Sequence, residues 1–217
     1  MTNAYSFDTS KILEYIARII AFLTAIPIHE AAHAYISDKL GDPTAKNLGR
    51  ISLNPIRHFD LMGALFMLLT GFGWAKPVPI NTKFYANRKI SMALSSFAGP
   101  LSNFIMSYIL MIAYKLLYYS SFSIKGIMLL IQFMIVINVT LAMFNMLPIP
   151  PLDGSRLFLI FLPEKAYFSI MRYERYIMLA LFALISFGAL NGILFKLQNS
   201  MYLLLDRATL FIDLLFI

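Results

Sequence analysis

Four apolar stretches, each about as long as the 20 helical residues needed to cross a hydrocarbon core about 30 Å thick, dominate what this chain can fold into. They run from Ile12 to Ile36, Ile90 to Tyr114, Gly126 to Leu147 and Tyr176 to Phe195. Charged residues make up only 13% of the 217 residues and apolar ones 59%, about half the charge of a soluble domain. A water-soluble enzyme is excluded, and the sequence predicts an all-α polytopic membrane protein. The N-terminus up to Ser10 carries Asp8 and no basic residue, so it does not read as a secretory leader, and the first stretch is expected to remain in the mature protein.

A fifth apolar stretch, Leu61 to Trp74, would reach only about 21 Å as a helix. The basic residues decide its reading, because cytoplasmic loops collect Lys and Arg. Lys39, Lys46, Arg50 and Arg57 precede it, Lys76, Lys83, Arg88 and Lys89 follow it, and Arg156, Lys165, Arg172 and Arg175 form a third group. All three groups share the cytoplasmic side if Leu61 to Trp74 dips into the membrane and returns. The expectation is therefore about four full crossings plus a short re-entrant segment. The net charge of +7 is explained by topology, with no dense basic face for nucleic acid. Met201 to Ile217, interrupted by Asp206, Arg207 and Asp213, reads as an interfacial helix.

The chain has no cysteine and three histidines, so any metal must be held by His, Asp or Glu. Two of the histidines stand in His29-Glu30-Ala31-Ala32-His33 at the inner end of the first crossing. On a helix, positions i and i+4 share a face, so His29 and His33 can present two imidazoles to one ion, with the Glu30 carboxylate beside them. The chain's own composition predicts such a pattern by chance with a probability of roughly 0.1%. Ionisable groups inside a crossing are costly and mark function.

A hydrolytic zinc site takes three protein ligands and leaves a fourth position for water. The candidate third ligand is Asp153, in Asn145-Met146-Leu147-Pro148-Ile149-Pro150-Pro151-Leu152-Asp153-Gly154. Its prolines cannot continue a helix, and irregular backbone at membrane depth must be buried or line a cavity. Two readings of Asp153 stand: a ligand, or the cap of a helix starting near Ser155. Asp38, Asp42 and Asp60 lie in polar loops, and His58, flanked by Arg57 and near Asp60, reads as a surface histidine. A metal-ion transporter built on the same His and Asp cluster is the competing reading, though it leaves Glu30 without a necessary role.

These residues resemble the site-2 protease family of intramembrane zinc metalloproteases. His29 to His33 is similar to its first motif and Asn145 to Gly154 to its Asn-x-x-Pro-x-Pro-x-x-Asp-Gly motif. Gly73 to Asn81 resembles its membrane-associated β-hairpin, and Ala98-Gly99-Pro100-Leu101-Ser102-Asn103 the start of its central helix. The resemblance covers most of Ile12 to Arg156 and implies one transmembrane metalloprotease domain over 1–217, with a core at about 12–156 and C-terminal helices beyond. It implies one zinc ion on His29, His33 and Asp153, with Glu30 as the catalytic base. By it, Asn145 positions substrate or stabilises the oxyanion, and Asn103 lines the same cavity. The implied substrate is a transmembrane protein segment, which could pair as an extended strand with the edge formed by Pro77, Val78, Pro79 and Ile80. The chain looks like a compact bacterial member without PDZ or CBS domains, in the cell membrane, its site opening toward the cytoplasm.

Overall fold

The computed structural model describes residues 9–60, 62–63, 75–120 and 124–216. Three long helices carry the architecture: α1 (Thr9–Lys39), α3 (Arg88–Tyr119) and α4 (Lys125–Asn145). At 1.5 Å per residue they are about 46, 48 and 31 Å long, each sufficient to cross. A one-turn helix α2 (Thr44–Asn47) and short 3-10 turns at Pro55–Arg57 and Thr82–Phe84 link α1 to α3. The side chain of Asn87 caps α3 by accepting from the Ile90 amide at 3.1 Å, satisfying one of the donors a helix start leaves open. After α4 come α5 (Asp153–Leu159), α6 (Glu164–Arg172), α7 (Glu174–Ser186), α8 (Asn191–Ala208) and α9 (Leu210–Leu215).

The helices α1, α3 and α4 pack against one another pairwise. Every fourth residue of α1 from Ala17 faces this packing: Ala17, Ala21, Ala25, His29, His33 and Ser37 are all buried. The alanines let the backbones approach closely, as small residues do between membrane helices, and the same stripe carries both imidazoles inward. Farther along, Met111 of α3, Ile135 and Val139 of α4 and Leu205 of α8 form the apolar core.

The fourth expected crossing, Tyr176 to Phe195, is not one helix. It breaks after Ser186, and the flanking helices are bent by 88°. Gly188 adopts φ +72°, its amide binding Ile185 O and the Ala189 amide binding Leu184 O, both at 2.9 Å. This pair of bonds is the Schellman helix stop, which needs a left-handed residue that glycine supplies without strain. Among the described residues, three helices are thus long and apolar enough to cross, with a fourth span only if the bent pair counts as one. The Met201 to Ile217 segment is likewise no single interfacial helix. It divides between α8 and α9, and Asp206 and Asp213 turn back to the bundle to meet Lys115 of α3 at 2.9 and 2.5 Å.

The re-entrant segment expected over Leu61 to Trp74 lies outside the described residues apart from 62–63. The expected β-hairpin does not form: among the described residues there is no strand, only an isolated antiparallel bridge between Phe59 and Ala75. Pro77 and Pro79 have no N–H to give a ladder, and the irregular segment that contains them is held by two side chains and one backbone carbonyl. Arg50 donates to Lys76 O and Pro77 O, His58 O accepts from the Lys76 amide at 2.8 Å, and Asp42 accepts from the Asn81 amide at 2.7 Å.

Candidate metal centre

His29 and His33 stand one turn apart on α1, their rings edge to face with centroids 4.6 Å apart. Each ring is fixed from behind. The Nδ1 of His33 donates to the backbone oxygen of Ser95 at 2.7 Å, in the α3 turn loosened by Pro100, which removes the N–H due to Ser96 and crowds its carbonyl. The Nδ1 of His29 donates to Asn103 Oδ1 at 2.6 Å. The orientation of that amide is set by its other end, which donates to Ala25 O at 3.1 Å and to Asn138 Oδ1 at 2.7 Å. With both Nδ1 atoms protonated, both Nε2 atoms present lone pairs.

The third group arrives from the irregular run after α4. Leu152 is extended and Asp153 opens α5, placing Asp153 Oδ2 3.1 Å from His29 Nε2 and 3.2 Å from His33 Nε2. Ligands about 2.0 to 2.1 Å from a tetrahedral zinc are separated by about 3.3 Å, so this spacing fits. Three acceptors facing one point repel one another unless a cation or proton lies between them, so the chemistry of this group suits a bound cation. His29, His33 and Asp153 form a group able to hold a metal ion.

Two glycines make room for this convergence. A Cβ on Gly99 would run into the rings of His33 and His29, and one on Gly154 would run into the carbonyls of Met146 and Leu147. Both contacts lie inside van der Waals distance, so α3 presses directly on the imidazoles and the 146–154 run folds tightly on itself.

The three groups face a cleft of about 430 Å³ that is also lined by Glu30, Asn145 and Val78. Pro77 and Ile80 share its wall. Asn145 donates to Leu141 O at 3.1 Å, which uses one of its two amide protons. Asn103 departs from expectation. It is fully buried behind His29 and does not line the cleft, because the face of α3 that bears it packs against α1 and α4. His58 also departs: it is fully buried, with Nε2 donating to Ser52 O at 2.6 Å. Burial lowers its pKa and keeps the ring neutral, and the nearby Arg50 and Arg57 charges act in the same direction. Asn138 and the Ser95 carbonyl belong to none of the motifs in the sequence. An asparagine well inside the apolar run of α4 is the signal for the first, since buried polar groups at membrane depth require partners.

The family model described as Peptidase family M50 matches residues 113–188. A Bacillus subtilis (strain 168) protein named "Putative zinc metalloprotease YwhC" is 39% identical over 164 residues, covering 73% of this chain and 74% of that protein. "Putative zinc metalloprotease Rip2" of Mycolicibacterium smegmatis is 28% identical over 159 residues, 68% of this chain and 59% of that protein. Its Mycobacterium tuberculosis counterpart is 28% identical over 148 residues, 64% and 55%, so the chain spans less than two thirds of the mycobacterial relatives. No solved structure matches the chain.

Proposed function

This chain belongs to peptidase family M50, the site-2 protease family, and from that premise we propose that it is a zinc metalloprotease that hydrolyses peptide bonds within or next to membrane-spanning segments of protein substrates. One observation carries the reading: the lone pairs of His29, His33 and Asp153 meet at one point of a cleft that Glu30 also lines.

In this reading His29, His33 and Asp153 hold one zinc ion, which when bound supplies Lewis acidity that brings the pKa of water toward about 7. Glu30 accepts the proton of the attacking water and delivers it to the leaving amine. Asn103 and the Ser95 carbonyl keep the two imidazoles in the tautomer that binds metal. Asn145 retains one amide proton for the oxyanion or the substrate carbonyl.

A helical substrate hides its scissile carbonyl and must be drawn out into extended form. The segment around Val78 and Ile80 suits that task. It lines the cleft and has no regular secondary structure, and among the described residues the backbone groups of Val78 and Ile80 have no hydrogen-bond partner. A peptide pairing with them gains backbone hydrogen bonds as its own helix opens. Arg50 and the His58 carbonyl hold the start of the segment at Lys76 and Pro77.

Arg156, one of the third group of basic residues, lines the cleft, and by the distribution of Lys and Arg we read that end of the molecule as the cytoplasmic side of a bacterial cell membrane. Since the chain has no cysteine, Asn87→Cys and Tyr118→Cys at opposite ends of α3 test this. Asn87 should label from the cytoplasm and Tyr118 from outside, and the reverse pattern overturns the orientation.

The activity itself is tested with purified protein and a panel of transmembrane-segment fusions, comparing wild type with Glu30→Gln at matched zinc content. The wild type should cleave and the variant should retain zinc without cleaving. Equal cleavage by both would remove Glu30 from the chemistry.

A further inference from the structure

Beside the metal cleft lies a second cavity of about 240 Å³, walled by Thr82, Arg88, Lys89, Arg156, Tyr167 and Glu174. Arg156 and Glu174 also line the cleft, so the two spaces adjoin across these side chains. The chain connects them as well. The segment that lines the cleft at Val78 and Ile80 leads within two residues to Thr82 in the second cavity. A peptide bound beside that segment in the cleft thus has this cavity next to it, across Arg156 and Glu174.

Three cations face the cavity against one carboxylate. Lys89 is held in place, its Nζ donating to Leu162 O at 2.6 Å and lying 5.8 Å from the Tyr167 ring centre. Among the described residues, neither Arg88 nor Arg156 has a carboxylate within ion-pair distance, Glu174 included. The positive charge is thus left for an incoming group.

We propose that this cavity is a substrate subsite that accepts acidic side chains flanking the membrane segment to be cut and repels basic ones. The proposal rests on the protease reading above and gives it a substrate class. Cytoplasmic flanks of membrane helices are rich in Lys and Arg, so a cationic subsite beside the cleft turns most membrane helices away. Selectivity of this kind comes from a repulsive element as much as from an attractive one.

The test uses the full chain as Glu30→Gln, loaded with zinc and placed in phosphatidylcholine nanodiscs. Its ligands are fluorescent transmembrane peptides that differ only in a flanking quartet, acidic, neutral or basic, at one end and then the other. At one end the acidic peptide should bind about fivefold more tightly than the basic one at low salt, with the gap closing as salt rises. Arg88→Glu should remove or reverse the order, and Arg88→Gln should weaken it. Equal affinity of the three peptides at both ends, or an order unchanged in Arg88→Glu, overturns the proposal. So does an absent order combined with Arg88-dependent retention of phosphatidylglycerol, which would assign the cavity to a lipid headgroup. Cleavage of the neutral peptide by the zinc-loaded wild type is scored separately. Its failure counts against the protease reading, while the binding order alone judges the subsite.

Discussion

Asn138 Oδ1 accepts a 2.7 Å hydrogen bond from Asn103 Nδ2, and this bond between α4 and α3 decides which end of the Asn103 amide faces His29. Asn138 in turn donates to Met134 O at 2.8 Å, so its own amide cannot flip without losing both bonds. The order of a metal-facing imidazole thus originates two residues behind it, on a third helix. Replacing Asn138 with Leu leaves Asn103 free to rotate and His29 free to change tautomer. We expect zinc affinity to fall about tenfold or more, as is common when a partner behind a ligand is lost. Competition with a chromophoric chelator measures it, and Asn138→Asp, which keeps the acceptor, should lose less. Unchanged affinity in Asn138→Leu would show that Asn103 is held adequately by Ala25 alone.

The legible parts of this molecule are those written in local spacing. His29 and His33 are read from helical periodicity, and Asp153 from prolines that forbid a helix where a chain must line a cavity. Asn103 was visible as a polar residue, but its role depends on which face of α3 turns to α1, and spacing within one helix does not tell that. The Ser95 carbonyl carries no side-chain signal at all. Gly188 sat inside an apolar run long enough to cross, and only its left-handed backbone reveals that the run turns by 88°. Lys115 and Asp213 are far apart in sequence, so nothing local announces that the C-terminal charges fold back onto α3.

Gly99 is where α3 touches the imidazoles. A methyl group there overlaps His33 and His29, and neither ring can retreat without giving up its Nδ1 hydrogen bond. Gly99→Ala should cost about 2 kcal/mol at the site, or about thirtyfold in zinc affinity. Gly126→Ala is the control, since a Cβ at that position meets nothing within 4 Å. Isothermal titration with zinc compares them, and equal affinities would show that the helices part easily.

Lys115 is the buried cation that docks the C-terminus. Its Nζ meets Asp206 and Asp213 and also donates to the Asp206 carbonyl. Removing one partner of a buried pair leaves the other uncompensated. Lys115→Met should lower stability by about 2 kcal/mol, discounted for the half-exposed Asp206. Adding Asp213→Asn should restore part of the loss, because the stranded charge is then gone. Thermal unfolding in detergent gives both values. A double variant no more stable than the single would locate the loss in packing alone.

His58 gives the fold a pH dependence of definite sign. Burial holds its imidazole below the ordinary range, and the Arg50 and Arg57 charges act the same way against the opposing hydrogen bond to Ser52. In the unfolded chain the ring titrates near 6.5. Below about that pH the unfolded state takes up a proton that the folded state refuses, so stability is full above it and declines as pH falls. The His58 carbonyl also holds the Lys76 amide, so protonation strains the loop that supports the cleft wall. Unfolding temperatures of wild type and His58→Asn between about pH 7 and pH 5 isolate this group, because every other titrating residue is common to both. The wild type should lose stability more steeply with falling pH, and parallel slopes would show that His58 is protonated in place without cost.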